Sequence, residues 1–207
     1  MQQTVGREKA KRNIVLFIIG VFIGLIASVV SGVGLITTNP VLTILGAVGL
    51  VGLILQIIAI VCLRNVNNHY ANAMWCLILD LLINLVMIIL DIIIFVQDGN
   101  ATLSTVGTWL DVASDVTEAG IVVYFVLGTN KLAEENGKGM PVLTKIIVVG
   151  YVIMFLLSLA FNLLGLIPAI GENQIVVYTF SIVVLVLYVV REIAYILFLI
   201  RSLFRVK

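Results

Sequence analysis

Long apolar segments follow one another along almost the whole chain, and they constrain its fold more than any other feature. A helix needs roughly 20 apolar residues to cross the hydrocarbon core of a bilayer. Six segments approach or exceed that length: residues 14–36, 41–63, 70–96, 106–132, 142–170 and 175–203. Only 11% of the residues are charged, against roughly a quarter in soluble domains. The sequence therefore predicts an all-α, polytopic membrane protein with six transmembrane helices.

The distribution of Lys and Arg predicts the orientation, because these residues accumulate in cytoplasmic loops. Arg191 is the one basic residue placed well inside a predicted span, and the loops at 37–40, 97–105 and 168–174 contain none. The other eleven lie before the first span, after the second, between the fourth and fifth, or at the end of the sixth: Arg7, Lys9, Lys11, Arg12, Arg64, Lys131, Lys138, Lys145, Arg201, Arg205 and Lys207. Six spans place all eleven on one side. We therefore predict a multi-pass protein of the cell membrane with both termini in the cytoplasm.

The alternating loops divide the spans into three helical hairpins. We expect residues 1–207 to form a single transmembrane domain without a soluble domain, because the longest loop covers only residues 133–141. The second helix of each hairpin carries Glu or Gln (Gln56, Glu118, Glu192) before an aliphatic run that leads to a basic residue. This pattern makes a weak threefold repeat a candidate. Glycines in the first two spans, at 20, 24, 46, 49 and 52, predict close packing of the first hairpin.

Ionisable residues inside the predicted spans are the strongest functional signal, because each is costly in lipid. Asp80, Asn84 and Asp91 share one helical face, as do Asp111, Asp115 and Glu118. Two further polar stripes lie on the fifth and sixth spans: Tyr151, Ser158 and Asn162, and then Ser181, Tyr188, Glu192 and Tyr195, with Arg191 at the margin of the second. We interpret them as an acidic interior shared by the last four helices.

Depth along the helices separates these residues into candidate roles. Asp80, Asn84, Asp115, Glu118 and Glu192 form the predicted ligand- or cation-binding centre. Asp91 and Asp111 form an outer vestibule, and Arg191 is a charge partner, expected to balance Glu118 or Asp80. The tyrosines, serines and asparagine of the fifth and sixth spans are supporting polar groups.

Three classes of function fit this pattern. A small membrane transport or solute-binding protein would use the acidic centre for a cation, a proton or a cationic small solute. A structural or accessory membrane subunit would use the same residues only to specify helix packing. A carboxylate-dependent membrane-embedded metalloenzyme is the third. The expected partners are the lipid bilayer and, beyond it, other membrane subunits or a second copy of the chain.

Other classes are excluded by what the sequence lacks. A net charge of +1 gives no basis for nucleic-acid binding, and His69 is the single histidine, which argues against zinc. No cofactor is predicted. Oxygen ligands alone would suit a hard divalent or a monovalent cation. Gly107, Asp111 and Asp115 have the spacing seen in CDP-alcohol phosphotransferases, but the preceding half of that motif is absent. In size, span number and orientation the chain resembles the substrate-binding subunits of energy-coupling-factor vitamin transporters.

Overall fold

The protein is built entirely of helices in the part described by a computed structural model, namely residues 2–36, 41, 46–96, 101–165 and 174–206. Within these ranges six α-helices follow one another: α1 Gln2–Ile36, α2 Gly49–Leu63, α3 Asn68–Val96, α4 Ala101–Glu134, α5 Pro141–Gly165 and α6 Gln174–Arg205. A short 3₁₀ turn, Gly46–Val48, precedes α2. Each odd-numbered helix packs most extensively against the helix that follows it. The predicted all-α architecture of three hairpins is confirmed.

Three of the helices are long and apolar enough to cross a membrane. The qualifying segments are Glu8–Ser31 of α1, Asn68–Ile94 of α3 and Ile182–Arg205 of α6. Gly49–Leu63 of α2 and Pro141–Leu157 of α5 are apolar but shorter over the residues described. Large apolar side chains remain exposed along α3, among them Leu79, Leu82, Val86 and Ile89. Such an apolar outer surface suits contact with lipid.

The buried core lies at one end of the bundle. We call this the basic end, because Arg64, Lys138 and Arg205 lie there, in the α2–α3 turn, the α4–α5 loop and the end of α6. The rings of Phe17 on α1 and Phe125 on α4 stack with their centroids 3.7 Å apart. Both rings are almost fully buried. The core therefore packs the first hairpin against the second in the half of the bundle nearer the basic end.

Local hydrogen bonds set where α3 begins. The side-chain oxygen of Asn67 accepts hydrogen bonds from the backbone N–H groups of His69 and Tyr70, at 3.1 and 3.2 Å. These are two of the N–H groups that a helix start leaves without a backbone acceptor, and asparagine is a favoured residue at this position. The Asn67 amide also donates to the carbonyl of Gly128 at 3.1 Å. One side chain thus starts α3 and attaches it to α4.

Hydrogen bonds also define the conformation of the loop between α4 and α5. Gly137 has a φ of 68°, and the backbone N–H groups of Gly137 and Lys138 donate to the carbonyls of Glu134 and Ala133, at 2.8 Å each. This is the hydrogen-bond pattern of a helix terminated by a left-handed glycine. The Arg205 guanidinium donates to the carbonyls of Lys138 and Gly139, at 3.2 and 2.9 Å. The end of α6 is therefore attached to the loop that follows α4.

Glycines allow α1 and α2 to approach backbone to backbone, as the sequence predicts. A Cβ atom added at Gly52 would lie 2.5 Å from the carbonyl oxygen of Gly20 and 2.9 Å from the backbone nitrogen of Gly24. A Cβ at Gly20 would lie 2.6 Å from the carbonyl oxygen of Gly52. At Gly24 the nearest atom to an added Cβ is 4.0 Å away. The contact therefore depends on Gly20 and Gly52 and tolerates a side chain at Gly24.

Candidate functional site

A cavity of about 760 Å³ lies between α2, α3, α4, α5 and α6, farther from the basic end than the buried core. Apolar side chains such as Leu53, Ile60, Leu77 and Phe155 form much of its wall. Its polar lining consists of Gln56, Asp80, Asp115, Glu118, Tyr151, Tyr188, Arg191 and Glu192. The volume lies within the range of about 300–1,000 Å³ that is typical of small-molecule sites. A largely apolar wall with a few polar groups is also typical of them.

The structure brings together most of the acidic residues that the sequence places at the centre. Asp80 of α3, Asp115 and Glu118 of α4, and Glu192 of α6 all line the cavity. Arg191 is the one basic residue in that lining. Four carboxylates against one guanidinium leave a formal excess of three negative charges when all are ionised. The cavity is therefore electrostatically suited to a positively charged occupant.

Asp80 connects α3 to α4 through hydroxyl groups. Its Oδ1 accepts hydrogen bonds from Ser114 Oγ at 2.9 Å and from Thr117 Oγ1 at 2.8 Å. The Asn84 amide, one turn farther along α3, donates to the Asp80 backbone carbonyl at 2.9 Å and to Ser114 Oγ at 3.4 Å. Asp80 and Asn84 therefore take part in the packing of the second hairpin. Asn84 is exposed and does not line the cavity.

Asp115 and Glu118 differ from Asp80 in having no such partner. Within the described part of the chain, neither carboxylate accepts a hydrogen bond or forms an ion pair. Both lie on α4 and both line the cavity. Charged Asp80, Asp115, Glu192 and Arg191 are all near enough to interact electrostatically with Glu118. Asp115 and Glu118 are thus the carboxylates that remain available to an occupant.

Arg191 forms an ion pair with its neighbour Glu192, and not with Glu118 or Asp80 as expected from the sequence. Its Nη2 and Nε donate to Glu192 Oε1 at 2.6 and 3.0 Å. The guanidinium carbon also lies 4.2 Å from the ring centroid of Tyr151 and 4.6 Å from that of Tyr188. Each cation–π contact of this kind contributes about 0.5–2 kcal/mol, more when it is desolvated. The Arg191 guanidinium of α6 therefore contacts a tyrosine ring from each of the two helices, α5 and α6.

Other residues predicted for the site lie elsewhere. Asp91 and Asp111, predicted as an outer vestibule, are exposed and do not line the cavity. Tyr195 is buried in the core at the basic end, and its hydroxyl has no hydrogen-bond partner among the described residues. The side chains of Ser158, Asn162 and Ser181 lie outside the described part of the structure.

Three residues of the site are absent from the sequence prediction. Gln56 brings α2 into the cavity wall, although the first hairpin is predicted only to pack. Ser114 and Thr117 hold Asp80 from α4. A signal for Gln56 exists, because it is an amide within an otherwise apolar helix. No comparable signal marks the two hydroxyls, since Ser and Thr often bond to the backbone of their own helix.

The carboxylates do not converge as metal ligands do. Among the described residues, no three His, Cys, Asp or Glu side chains come together in a group that could hold a metal ion. Comparison of the chain with protein-family models, with curated protein sequences and with solved structures gives no match. The fold itself defines the coarse class, a helical protein in which three of the described helices are long and apolar enough to span a membrane.

The Asp80 contacts predict a difference between two threonines that are both buried. Thr117→Val removes a hydroxyl that donates to Asp80, and we expect the free energy of unfolding in detergent micelles to fall by about 1–3 kcal/mol. Thr144 has a buried hydroxyl with no partner in the described structure, so Thr144→Val should leave stability unchanged or raise it. Equal losses in the two variants would contradict the assigned hydrogen bond.

Proposed function

We propose that the chain crosses the bilayer six times with both termini in the cytoplasm, and that its central cavity binds a cationic solute, as a small membrane transport or solute-binding protein does. The observation that carries the proposal is a cavity whose lining includes two carboxylates, Asp115 and Glu118, without a partner in the described structure. Ionised side chains within a membrane are costly, and those that persist there commonly mark a pathway or a binding site.

The topology part of this proposal is supported by the packing of the hairpins. Each hairpin contains one of the three qualifying helices α1, α3 and α6, and each hairpin returns the chain to the basic end. A bilayer would place that end in the cytoplasm, because basic loops are retained there. The acids Asp115 and Glu118 of α4 line the cavity, so in a bilayer α4 would place both of them at this site.

The size and wall of the cavity favour an organic cation over a bare ion. A volume of about 760 Å³ greatly exceeds what a single dehydrated ion would fill. Apolar residues, among them Leu77, Met154 and Phe155, would contact the hydrocarbon part of such a solute. Asp115 and Glu118 would supply the countercharge. Binding would neutralise two carboxylates that are unfavourable in a membrane, which is a favourable electrostatic contribution to affinity.

An accessory subunit is the second candidate function. It is favoured by Asp80, whose Oδ1 already has two donors across the α3–α4 interface. In that case the polar residues would specify only how the helices pack, and the cavity would have no ligand. The two candidates differ in whether any cation stabilises the folded protein.

A thermal-shift measurement on the purified protein in detergent separates these candidates. We expect tetraethylammonium to raise the melting temperature, because a ligand that binds only the folded state stabilises it. Sodium at the same ionic strength should not. Asp115→Asn combined with Glu118→Gln should raise the concentration of tetraethylammonium required by about tenfold, since a countercharge about 4 Å from a cation contributes about 1–4 kcal/mol.

The matched control neutralises the acids that lie outside the cavity. Asp91→Asn combined with Asp111→Asn makes the same change in net charge on exposed residues, and it should leave the response to tetraethylammonium as in the wild type. No response in the wild-type protein, or an equal loss in both double variants, would support the accessory subunit and reject the cation site.

A further inference from the structure

Residues of two helices, α5 and α6, form the binding surface for the Arg191 side chain. A Cβ atom added at Gly150 of α5 would lie 3.2 Å from Arg191 Cγ and 3.5 Å from its Cβ, so the stem of Arg191 lies against the α5 backbone where a side chain is missing. Beyond the stem, the guanidinium lies 4.2 Å from the ring centroid of Tyr151 on α5 and 4.6 Å from that of Tyr188 on α6. The Arg191 side chain is thus contacted both along its aliphatic part and at its guanidinium.

Tyr151, Tyr188 and Glu192 form what we call the cation box. Two aromatic faces and one carboxylate surround a planar cation in it, with the carboxylate oxygen 2.6 Å from a guanidinium nitrogen. Aromatic faces with a countercharge are the groups by which proteins recognise organic ammonium and guanidinium ligands. All three residues of the box line the cavity. The box therefore opens on the space where a solute would bind.

Arg191 also has other anionic groups within reach in the same cavity. Glu118 interacts electrostatically with it, and Asp115 of α4 and Asp80 of α3 line the same cavity. If the guanidinium left the box, it would meet these carboxylates and would not be left without a countercharge. If an external cation replaced Arg191 in the box, Glu192 would pair with that cation and Arg191 with these carboxylates. Every charge would therefore keep a partner.

We propose that the cation box is a binding subsite for the guanidinium or amine group of an organic solute, and that Arg191 occupies it as a tethered competitor. A solute would displace Arg191, which would move toward Glu118. The inference rests on the proposed solute-binding cavity. It adds the chemical class of the ligand head group, and it makes competition by Arg191 the cause of a lower affinity for that ligand. Because the tether gives Arg191 a high effective concentration, solutes compete at a disadvantage until it is removed.

Removal of the tethered group by Arg191→Ala tests this directly. The probe is methylguanidinium at low millimolar concentration, and the readout is the melting temperature of the full chain in detergent. We expect R191A to be stabilised half-maximally at a concentration roughly tenfold or more below that needed by the wild type, since the box is then unoccupied and the competent fraction rises. Urea, which is planar but uncharged, and sodium at equal ionic strength should have no such effect.

Two matched variants make the result specific. Arg201→Ala removes an exposed arginine from the same helix and should respond to methylguanidinium as the wild type does. Tyr151→Leu added to R191A should abolish the gain, because one face of the box is lost. If R191A folds only when methylguanidinium is present during extraction, that dependence supports the proposal. Extraction that fails equally in methylguanidinium, urea and sodium overturns it.

The outcomes also separate this inference from the proposed function. If R191A gains no sensitivity to methylguanidinium while tetraethylammonium still stabilises the wild type through Asp115 and Glu118, the cation box is rejected and the cavity remains a cation site. If tetraethylammonium has no effect on the wild type and R191A gains no response, both are rejected. A gain in R191A that urea reproduces contradicts the cation box, because it shows filling of space without recognition of charge.

Discussion

Gly52→Ala should destabilise the protein by up to about 2 kcal/mol, although alanine is the better helix former. Intrinsic propensity alone favours alanine by about 0.8–1 kcal/mol. The added Cβ, however, would lie 2.5 Å from the carbonyl oxygen of Gly20 and 2.9 Å from the backbone nitrogen of Gly24. Both are backbone atoms, so α1 and α2 must move apart. Overpacking of this kind costs about 1–3 kcal/mol, which the gain in helix propensity offsets only in part.

Gly24→Ala is the control, and it lies on the same helix-helix contact. The nearest atom to a Cβ there is the Gln56 side-chain nitrogen at 4.0 Å, so G24A should be neutral or stabilising. The measurement is the free energy of unfolding by denaturant titration in mixed micelles. If G52A is as stable as G24A, the backbone contact between α1 and α2 is wrong.

Glu192→Gln is expected to produce the second large loss of stability, about 3 kcal/mol. The side chains of Arg191 and Glu192 are only 12% and 20% exposed, so the substitution leaves a largely buried guanidinium without its anion. Breaking a buried pair from one side costs about 3–5 kcal/mol, whereas replacing both partners is often nearly neutral. The combined change Arg191→Met with Glu192→Gln should therefore be more stable than E192Q alone.

Glu135→Gln is the matched control for E192Q, because Glu135 is exposed in the turn after α4 and its change should not alter stability. Denaturant titration of the wild type, Arg191→Met, E192Q, the double variant and the Glu135→Gln control gives the comparison. Additive losses in the double variant would mean that Arg191 and Glu192 act independently, and would contradict the ion pair as the structure shows it. A loss of stability in Glu118→Gln as large as that in E192Q would likewise point to Glu118 as the partner of Arg191.

The fold follows from the sequence more completely than the site does. Apolar segment length and breaker-rich loops are local properties, so they predict helices and hairpins without knowledge of their neighbours. Gly20 and Gly52 can also be interpreted from the sequence alone, because small residues in apolar helices permit close packing wherever the partner helix lies. Their contact in the structure confirms this prediction. The helix bounds differ most for α1, which begins at Gln2 where the predicted span begins at residue 14. Over the residues described, α2 begins at Gly49 after a 3₁₀ turn.

Contacts between helices are the part that the sequence could not supply. Helical phase places Asp111, Asp115 and Glu118 on one face, but it cannot say at what depth the cavity ends, and Asp111 lies beyond it. Arg191 and Glu192 are neighbours whose Cα–Cβ directions diverge by about 100° on a helix, and adjacent residues on a helix do not ordinarily face each other. The long Arg191 side chain overcomes this divergence, because Gly150 and the two tyrosine rings hold it over α5.

Uptake of radiolabelled tetraethylammonium into proteoliposomes tests most directly whether the acidic cavity serves a cationic solute across a membrane. Wild-type protein and the Asp91→Asn, Asp111→Asn control should show saturable uptake above that of protein-free liposomes. The Asp115→Asn, Glu118→Gln variant, reconstituted to the same density, should show none. Wild-type uptake no greater than in protein-free liposomes, or uptake unchanged by neutralising Asp115 and Glu118, would contradict a transport role for this cavity.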